Sequence, residues 1–271
     1  MPSVVLALRL LTQRSTPRVP HRPYADCTWE SCRTLVTEQS AIRRYWANET
    51  PPTAAEARMA QTRARPPKSA FKKIVQSPSY KAGHGLRPYQ LEGLNWLLFS
   101  WYNRRSVLLA DEMGLGKTVQ SVTTVNHIWK VENIRGPFLV LAPLSTLSHW
   151  QREFDGWTDM NTIVYHGSYE SREIIREFEF YYTAPGATAS GSAPPCKFHT
   201  LITSFEVIKQ DLAIFRKIPW RCASWPLEPP HHTSGTPVPS LPRPPLLLAP
   251  CRAHPERSVG RTHYASQLHG H

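Results

Sequence analysis

No apolar run in this chain of 271 residues approaches the roughly 18 needed for a helix to cross a membrane, so a soluble protein is expected. Cysteine is sparse as well. Cys27, Cys32, Cys196, Cys222 and Cys251 stand apart, without the paired short spacing of a structural zinc site. They read as reduced thiols of an intracellular protein. The first 25 residues lack any acid and carry Arg9, Arg14, Arg18 and Arg22, a composition shared with mitochondrial transit peptides. Pro17, Pro20 and Pro23 interrupt the amphipathic helix that such a peptide needs. Glycine is outnumbered by proline, 13 to 26, which keeps much of the chain out of regular helix and central strand. No internal repeat is present.

What the chain does have is positive charge, a formal net +12. A nucleic acid or other polyanion as partner, and an Arg-rich flank without a partner, both fit that balance. Three zones differ in texture. Residues 1–70 are Arg- and Pro-rich with short apolar clusters, and no large core is expected there. Across 71–222, apolar runs of strand length alternate with amphipathic stretches of helix length, the pattern of an α/β fold with a mainly parallel sheet. Over 223–271 ten prolines from Pro226 to Pro255 predict a Pro/His-rich disordered or polyproline-like tail that cannot supply a central strand.

In the middle zone, Leu91, Leu94, Leu97 and Leu98 share one helical face over Gln90–Trp101. Val107–Ala110 predicts a strand, a Gly-containing loop follows, and a helix is expected from Lys117 to Val131. A second strand, Phe138–Ala142, stops at Pro143, with Ser145 as N-cap of a helix through Phe154. Strands at Thr162–Tyr165 and Thr200–Thr203 lead to expected helices at Ser171–Tyr182 and Phe205–Phe215. Ala184–Pro195, rich in Ala, Gly, Ser and Pro, reads as a surface loop.

The chemistry-bearing signal is Asp111-Glu112-Met113-Gly114-Leu115-Gly116-Lys117-Thr118, set between strand and helix. A strand that feeds a helix N-terminus points unpaired N–H groups and the helix dipole at an anion. Gly114 and Gly116 let the backbone curl around phosphates, Lys117 can reach the β and γ oxygens, and the Thr118 hydroxyl can ligate Mg²⁺. These residues are the expected ATP and Mg²⁺ site. The general pattern asks for glycine where Asp111 stands.

The neighbouring segments narrow the class. Leu86-Arg87-Pro88-Tyr89-Gln90-Leu91-Glu92-Gly93, Asn95-Trp96-Leu97, Leu109–Thr118 and Leu139-Val140-Leu141-Ala142-Pro143-Leu144-Ser145-Thr146 resemble the first motor motifs of chromatin-remodelling ATPases of helicase superfamily two. Trp101-Tyr102-Asn103-Arg104, Trp150-Gln151-Arg152-Glu153-Phe154, Trp157 and Asn161–Ser168 single out a resemblance to the chromodomain-helicase-DNA-binding family. The resemblance implies an incomplete RecA-like P-loop lobe with a parallel sheet, flanked by mostly disordered terminal segments. It implies a nuclear protein that works on nucleosomal DNA beside other chromatin proteins. It makes Gln90 the adenine contact, and places Pro143, Leu144, Ser145, His166, Gly167, Thr203 and Ser204 on loops along the DNA. Trp96, Trp150 and Trp157 are expected to pack rather than to stack on nucleotides. Tyr24–Glu30 resembles the close of a chromodomain, giving a chromodomain-like remnant near 24–46 without a recognisable methyl-lysine cage.

One element of the family pattern is missing. After Ile218-Pro219-Trp220-Arg221-Cys222 the family places an Asp-Glu-Ala-His box, whereas this sequence continues Ala223-Ser224-Trp225-Pro226-Leu227-Glu228. Paired acids at that strand end hold Mg²⁺ and position the attacking water. With the box and the second motor lobe both absent from this sequence, a truncated motor that binds ATP without hydrolysing it is expected. A non-enzymatic basic protein that binds nucleic acid or a partner, and a non-functional truncated product, remain open beside it.

Overall fold

The computed structural model describes residues 43, 46–53, 63–109, 114–182, 195–224 and 247–250. The chromodomain-like remnant expected near 24–46, the Ala184–Pro195 loop apart from Pro195, and most of the 223–271 tail lie outside the described residues. The chain divides into two compact units, one of Met59–Val164 with His199–His271 and one of Met1–Arg58 with Tyr165–Phe198.

Helix α1, Pro88–Tyr102, starts with proline, whose missing N–H costs nothing in a first turn that has no intrahelical acceptor. Its Leu94, Leu97, Leu98 and Trp101 are buried, so the expected apolar face is the one that packs inward. Strand β1, Val107–Leu109, leads through the glycine loop to α2, Lys117–Lys130. Helix α2 is polar in sequence yet deeply buried: Gln120, Ser121, Thr123 and Thr124 are at most 1% exposed. Burial is tolerated because the hydroxyls bond backward along their own helix. Ser121 donates to the Lys117 carbonyl at 3.0 Å, Thr123 to Val119 at 2.8 Å and Thr124 to Gln120 at 2.7 Å.

Strand β2, Phe138–Leu141, is buried at every position, the pattern of a parallel strand covered on both faces. A short 3-10 turn, Leu144–Thr146, separates it from α3, Leu147–Trp157. Ser145 therefore lies inside that turn and is not the N-cap, a place taken by Thr146. The Thr146 hydroxyl is drawn to the Pro143 carbonyl at 2.9 Å instead of to the helix amides. Strands β3, Thr162–Tyr165, and β4, Thr200–Thr203, fall where expected. The helix expected at Ser171–Tyr182 is shorter and earlier. Ser168 caps α4, Tyr169–Ile175, which passes into a π turn at Arg176–Phe180, and Tyr181 is extended and bridged to Cys196. After β4 the expected single helix is two, α5 at Phe205–Gln210 and α6 at Leu212–Phe215, broken where Asp211 leaves helical geometry.

The sheet, among the described residues, has the order β1-β6-β5-β2-β4-β3. Its middle corrects the reading of the tail. Cys222–Ser224 forms β5 beside β2, and Leu247–Pro250 forms β6 between β5 and β1, all parallel. Proline excludes a central strand only where an N–H is needed. Leu246-Leu247-Leu248-Ala249 is a proline-free apolar run bounded by Pro245 and Pro250, and Pro250 comes at the last rung, opposite Leu109. The tail, expected not to supply a central strand, thus supplies β1 with its ladder partner.

In the unit of Tyr165–Phe198, Lys197 is 4% exposed, and its ammonium is paired with Glu49 and donates to the Phe178 carbonyl at 2.8 Å. In the other unit, His199 leads into β4. Its Nδ1 accepts the Asn161 N–H at 2.8 Å, its ring lies 5.1 Å from Trp129, and its carbonyl accepts the Phe138 N–H at 2.8 Å. Burial, with Arg135 nearby, pushes its pKa down to about 3. No helix among the described residues is long and apolar enough to cross a membrane.

The sheet and the buried imidazole can each be probed in solution. Leu248 pairs with both Val107 and Ser224, so Leu248→Pro removes an interior ladder donor. Leaving buried acceptors unmatched should lower unfolding free energy by about 2 kcal/mol in a urea titration; an unchanged midpoint would remove β6 from the sheet. Between its ordinary 6.5 and its folded value of about 3, His199 binds fewer protons folded than unfolded. Its contribution to stability is therefore whole above pH 6.5 and drains as pH falls toward 3. The slope of the thermal midpoint across that window should flatten in His199→Asn, which keeps an acceptor without titrating; a slope identical to that of the parent chain would show that His199 titrates normally.

Candidate nucleotide-binding site and nucleic-acid loops

The candidate site begins where β1 ends. Gly114 and Gly116 adopt φ of +87° and +77°, the left-handed region that side-chain-bearing residues avoid. Gly116 is the N-cap of α2, and no side chain caps the helix there. Its carbonyl takes the first helical bond, from Gln120 N–H at 3.0 Å. The first-turn amides at Lys117 and Thr118 therefore have no intrahelical acceptor and crown a helix of 14 residues. Gly114 is exposed, and Leu115 through Thr118 are half-buried. Asp111, Glu112 and Met113 lie outside the described residues.

A second side chain shapes the loop. Gln90, 9% exposed in the first turn of α1, accepts the Arg87 N–H with Oε1 at 3.0 Å and donates from Nε2 to the Leu115 carbonyl at 3.4 Å. The same Nε2 would lie 2.5 Å from a Cβ built on Gly116, so a larger residue there would have to displace the flexible end of Gln90, and the positive φ is the firmer reason for glycine. Gln90 thus lies against the loop, where its amide joins the start of α1 to Leu115.

Sequence pattern alone did not single out Gln120. One turn beyond Lys117, it packs so closely on α1 that a Cβ at Gly93 would come within 1.9 Å of its Oε1. A glycine inside an otherwise helical, leucine-rich pattern is the signal that pointed there, since it marks a close approach.

The donor set fits a nucleotide triphosphate with Mg²⁺. It offers helix-start amides, a lysine and a threonine hydroxyl, with glycines where bulk would fill the cradle. Among the described residues no group of three His, Cys, Asp or Glu could hold a metal alone. Mg²⁺ bound with a nucleotide needs no such cage, because phosphate oxygens and water fill most of its shell.

The loop candidates divide. Pro143, Leu144 and Ser145 follow β2; Leu144 is 57% exposed and Ser145 is exposed. Thr203 ends the adjacent β4 and Ser204 follows it, and the Thr203 carbonyl accepts the Ala142 N–H at 3.0 Å. Both are buried, at 0% and 2%, so their side chains present nothing to a surface. His166 and Gly167 follow β3 and are half-buried. Gly167, at φ +115°, accepts from the Arg172 guanidinium at 2.8 Å through its carbonyl. Trp150 is buried, and Trp96 and Trp157 pack partly buried on the core, as expected of packing residues.

Comparison with known proteins gives the site a context. Residues 89–224 match the family model described as the SNF2-related domain. The chain is 47% identical over 203 residues to chromodomain-helicase-DNA-binding protein 8 of Xenopus tropicalis, covering 74% of this chain and 9% of that protein. It is 47% identical over 203 residues to chromodomain-helicase-DNA-binding protein 7 of Homo sapiens, covering 74% and 6%. The chain spans less than a tenth of the length of these relatives. Among solved structures, the Sulfolobus solfataricus SWI2/SNF2 ATPase core in complex with dsDNA superposes with a TM-score of 0.50 at 24% identity, over 68% of this chain and 35% of that one. That likeness supports the fold alone.

Gly116→Ala should cost about 1 to 2 kcal/mol for the left-handed backbone and further for the clash with Gln90. In a Gln90→Ala background only the second part should vanish, and chemical denaturation of the four variants separates the two; identical losses in both backgrounds would show that Gln90 does not crowd Gly116.

Proposed function

The chain belongs to the SNF2-related domain family, and from that membership we propose that its lobe binds ATP with Mg²⁺ at Gly114–Thr118 and contacts DNA through the exposed loop after β2. The observation that carries this reading is the passage of β1 into α2 through two left-handed glycines immediately before Lys117-Thr118. Lys117 draws the β and γ phosphates by charge, and the α2 amides receive them as donors that need no rearrangement. Asp111, Glu112 and Met113 belong to the same sequence motif and are proposed to take part in it. The Thr118 hydroxyl would hold Mg²⁺, which would offset phosphate charge. Gln90 is the adenine contact: its bond to Leu115, at 3.4 Å, is long and is exchanged for one to the base at little cost.

Leu144 and Ser145 meet the DNA backbone beside Pro143, with Thr203 and Ser204 supporting that loop from β4. His166 and Gly167 belong to the same set by resemblance. The relatives are named DNA-binding proteins, and from the family resemblance the proposed substrate is nucleosomal DNA and the place of action the nucleus, among chromatin proteins.

Hydrolysis is a separate matter. Positioning and charge supply nearly all of phosphoryl-transfer catalysis, and after β5 this chain reads Trp225-Pro226-Leu227-Glu228 where paired acids are needed. The chain as it stands binds ATP without turnover.

Titration with a fluorescent ATP analogue should show at least a tenfold weaker affinity for Lys117→Ala, the loss expected on removing a charged donor worth about 1.5 to 3 kcal/mol. Phosphate release should stay at background with or without DNA. Equal affinity of the two proteins would remove the ATP site, and DNA-stimulated release abolished by Lys117→Ala would show that another acid serves.

A further inference from the structure

Between Ala57 and Leu91 the sequence has no Asp or Glu, while Arg and Lys recur throughout. The described part of this segment, from Arg63 onward, is a strap pinned along α1. The Arg65 guanidinium lies 4.8 Å from the centroid of the Trp101 ring, and the Phe71 ring lies 5.5 Å from Phe99 and 5.6 Å from Tyr102. Asn95 clamps Ile74 at both ends of its amide group, accepting its N–H at 2.7 Å and donating to its carbonyl at 2.9 Å. Arg63 donates to the Glu132 carbonyl at 3.1 Å.

These anchors decide which side chains face out. Two of the strap's apolar residues, Phe71 and Ile74, are spent on α1, whereas Val75, Lys68, Lys72 and Lys73 are exposed. Arg104 and Arg105, just after α1, and Lys130, at the end of α2, are exposed at the same end of the lobe. None of the six makes an ion pair among the described residues. The neighbouring carboxylate, Glu132, is occupied by the Tyr102 hydroxyl and lies 3.8 Å from His127. This end precedes β1, so it lies at the opposite edge of the sheet from the glycine loop and the loop after β2.

We infer that the strap and the ends of α1 and α2 form a second DNA-backbone site, centred on Lys68, Lys72, Lys73, Arg104, Arg105 and Lys130 and remote from the nucleotide edge. Duplex DNA fits better than an acidic protein segment because six exposed cations stand on this surface against two exposed large apolar side chains, Val75 and Val131, among the described residues. A protein ligand draws on anchored apolar side chains, whereas phosphate recognition requires only spaced cations. The site does not depend on the loop after β2, which lies on the other edge.

The test is fluorescence anisotropy of a blunt duplex titrated with the full chain over a series of salt concentrations. Two variant sets, Lys68→Gln/Lys72→Gln/Lys73→Gln and Arg104→Gln/Arg105→Gln, should each weaken binding about tenfold or more at low salt. The slope of log affinity against log salt should fall by up to about 0.9 for each phosphate that is no longer neutralised. Fluorescent-ATP affinity and the thermal midpoint should not move in either set, which separates weakened DNA binding from misfolding. Leu144→Ala/Ser145→Ala should leave the strap's share of the slope in place, so the two DNA readings fail separately. Unchanged affinity and slope in both strap sets would overturn the inference. So would a loss confined to polyglutamate binding with DNA binding retained, which would assign the strap to an acidic protein.

Discussion

The ladder between β1 and β6 is the interaction on which the placement of the glycine loop depends. A parallel strand has no hairpin neighbour and must be paired by a segment distant in sequence. For Val107–Leu109 that segment is Leu247–Pro250, far along the chain. On its far side β1 has no strand among the described residues, so β6 alone fixes its direction within the sheet. That direction decides where the chain leaves the sheet and therefore where α2 begins. A helix start is an anion site only if its amides open onto an accessible edge, and the C-terminal edge of a parallel sheet is where such sites collect.

A second constraint holds α1 against α2 at the distance the loop needs. Gly93 admits Gln120 where no other residue would leave room, and Gln90 spans from the start of α1 to the Leu115 carbonyl. The polarity of α2 is part of this arrangement. Ser121, Thr123 and Thr124 return their hydroxyls to carbonyls one turn back, so a short, closely packed helix is buried with these donors matched. Larger apolar residues would satisfy the core, but they would push α1 away and take Gln90 off the loop.

Much of this was legible in the sequence because it rests on local pattern. The apolar face of α1, the strands β2, β3 and β4 and the strand–loop–helix passage at Gly114–Thr118 each announce themselves by spacing or by residues with one physical use. What escaped rests on contacts far apart in sequence. Leu247–Pro250 is a short strand among prolines, and nothing local distinguishes it from the rest of the tail; only its long-range pairing makes it a strand. Ser145 is the cap that the pattern predicts, but a 3-10 turn takes it in and Thr146 stands at the N-cap instead, its hydroxyl bonded to the Pro143 carbonyl. The burial of Thr203 and Ser204 follows from the register of β4 beside β2, which no pattern of single residues encodes.

Charge and fold are distributed to match. At the glycine-loop edge Lys117 is half-buried beside the helix-start amides, whereas Lys68, Lys72, Lys73, Arg104, Arg105 and Lys130 stand exposed on the strap and the helix ends opposite. The central claim, that the helix-start amides form a phosphate site, is tested most directly by hydrogen exchange with and without saturating ATP and Mg²⁺. The account predicts that amides from Gly114 to Val119 slow on addition of nucleotide, while those of β2 and β4 keep their rates. Exchange at Gly116, Lys117 and Thr118 that is indifferent to saturating nucleotide would contradict it.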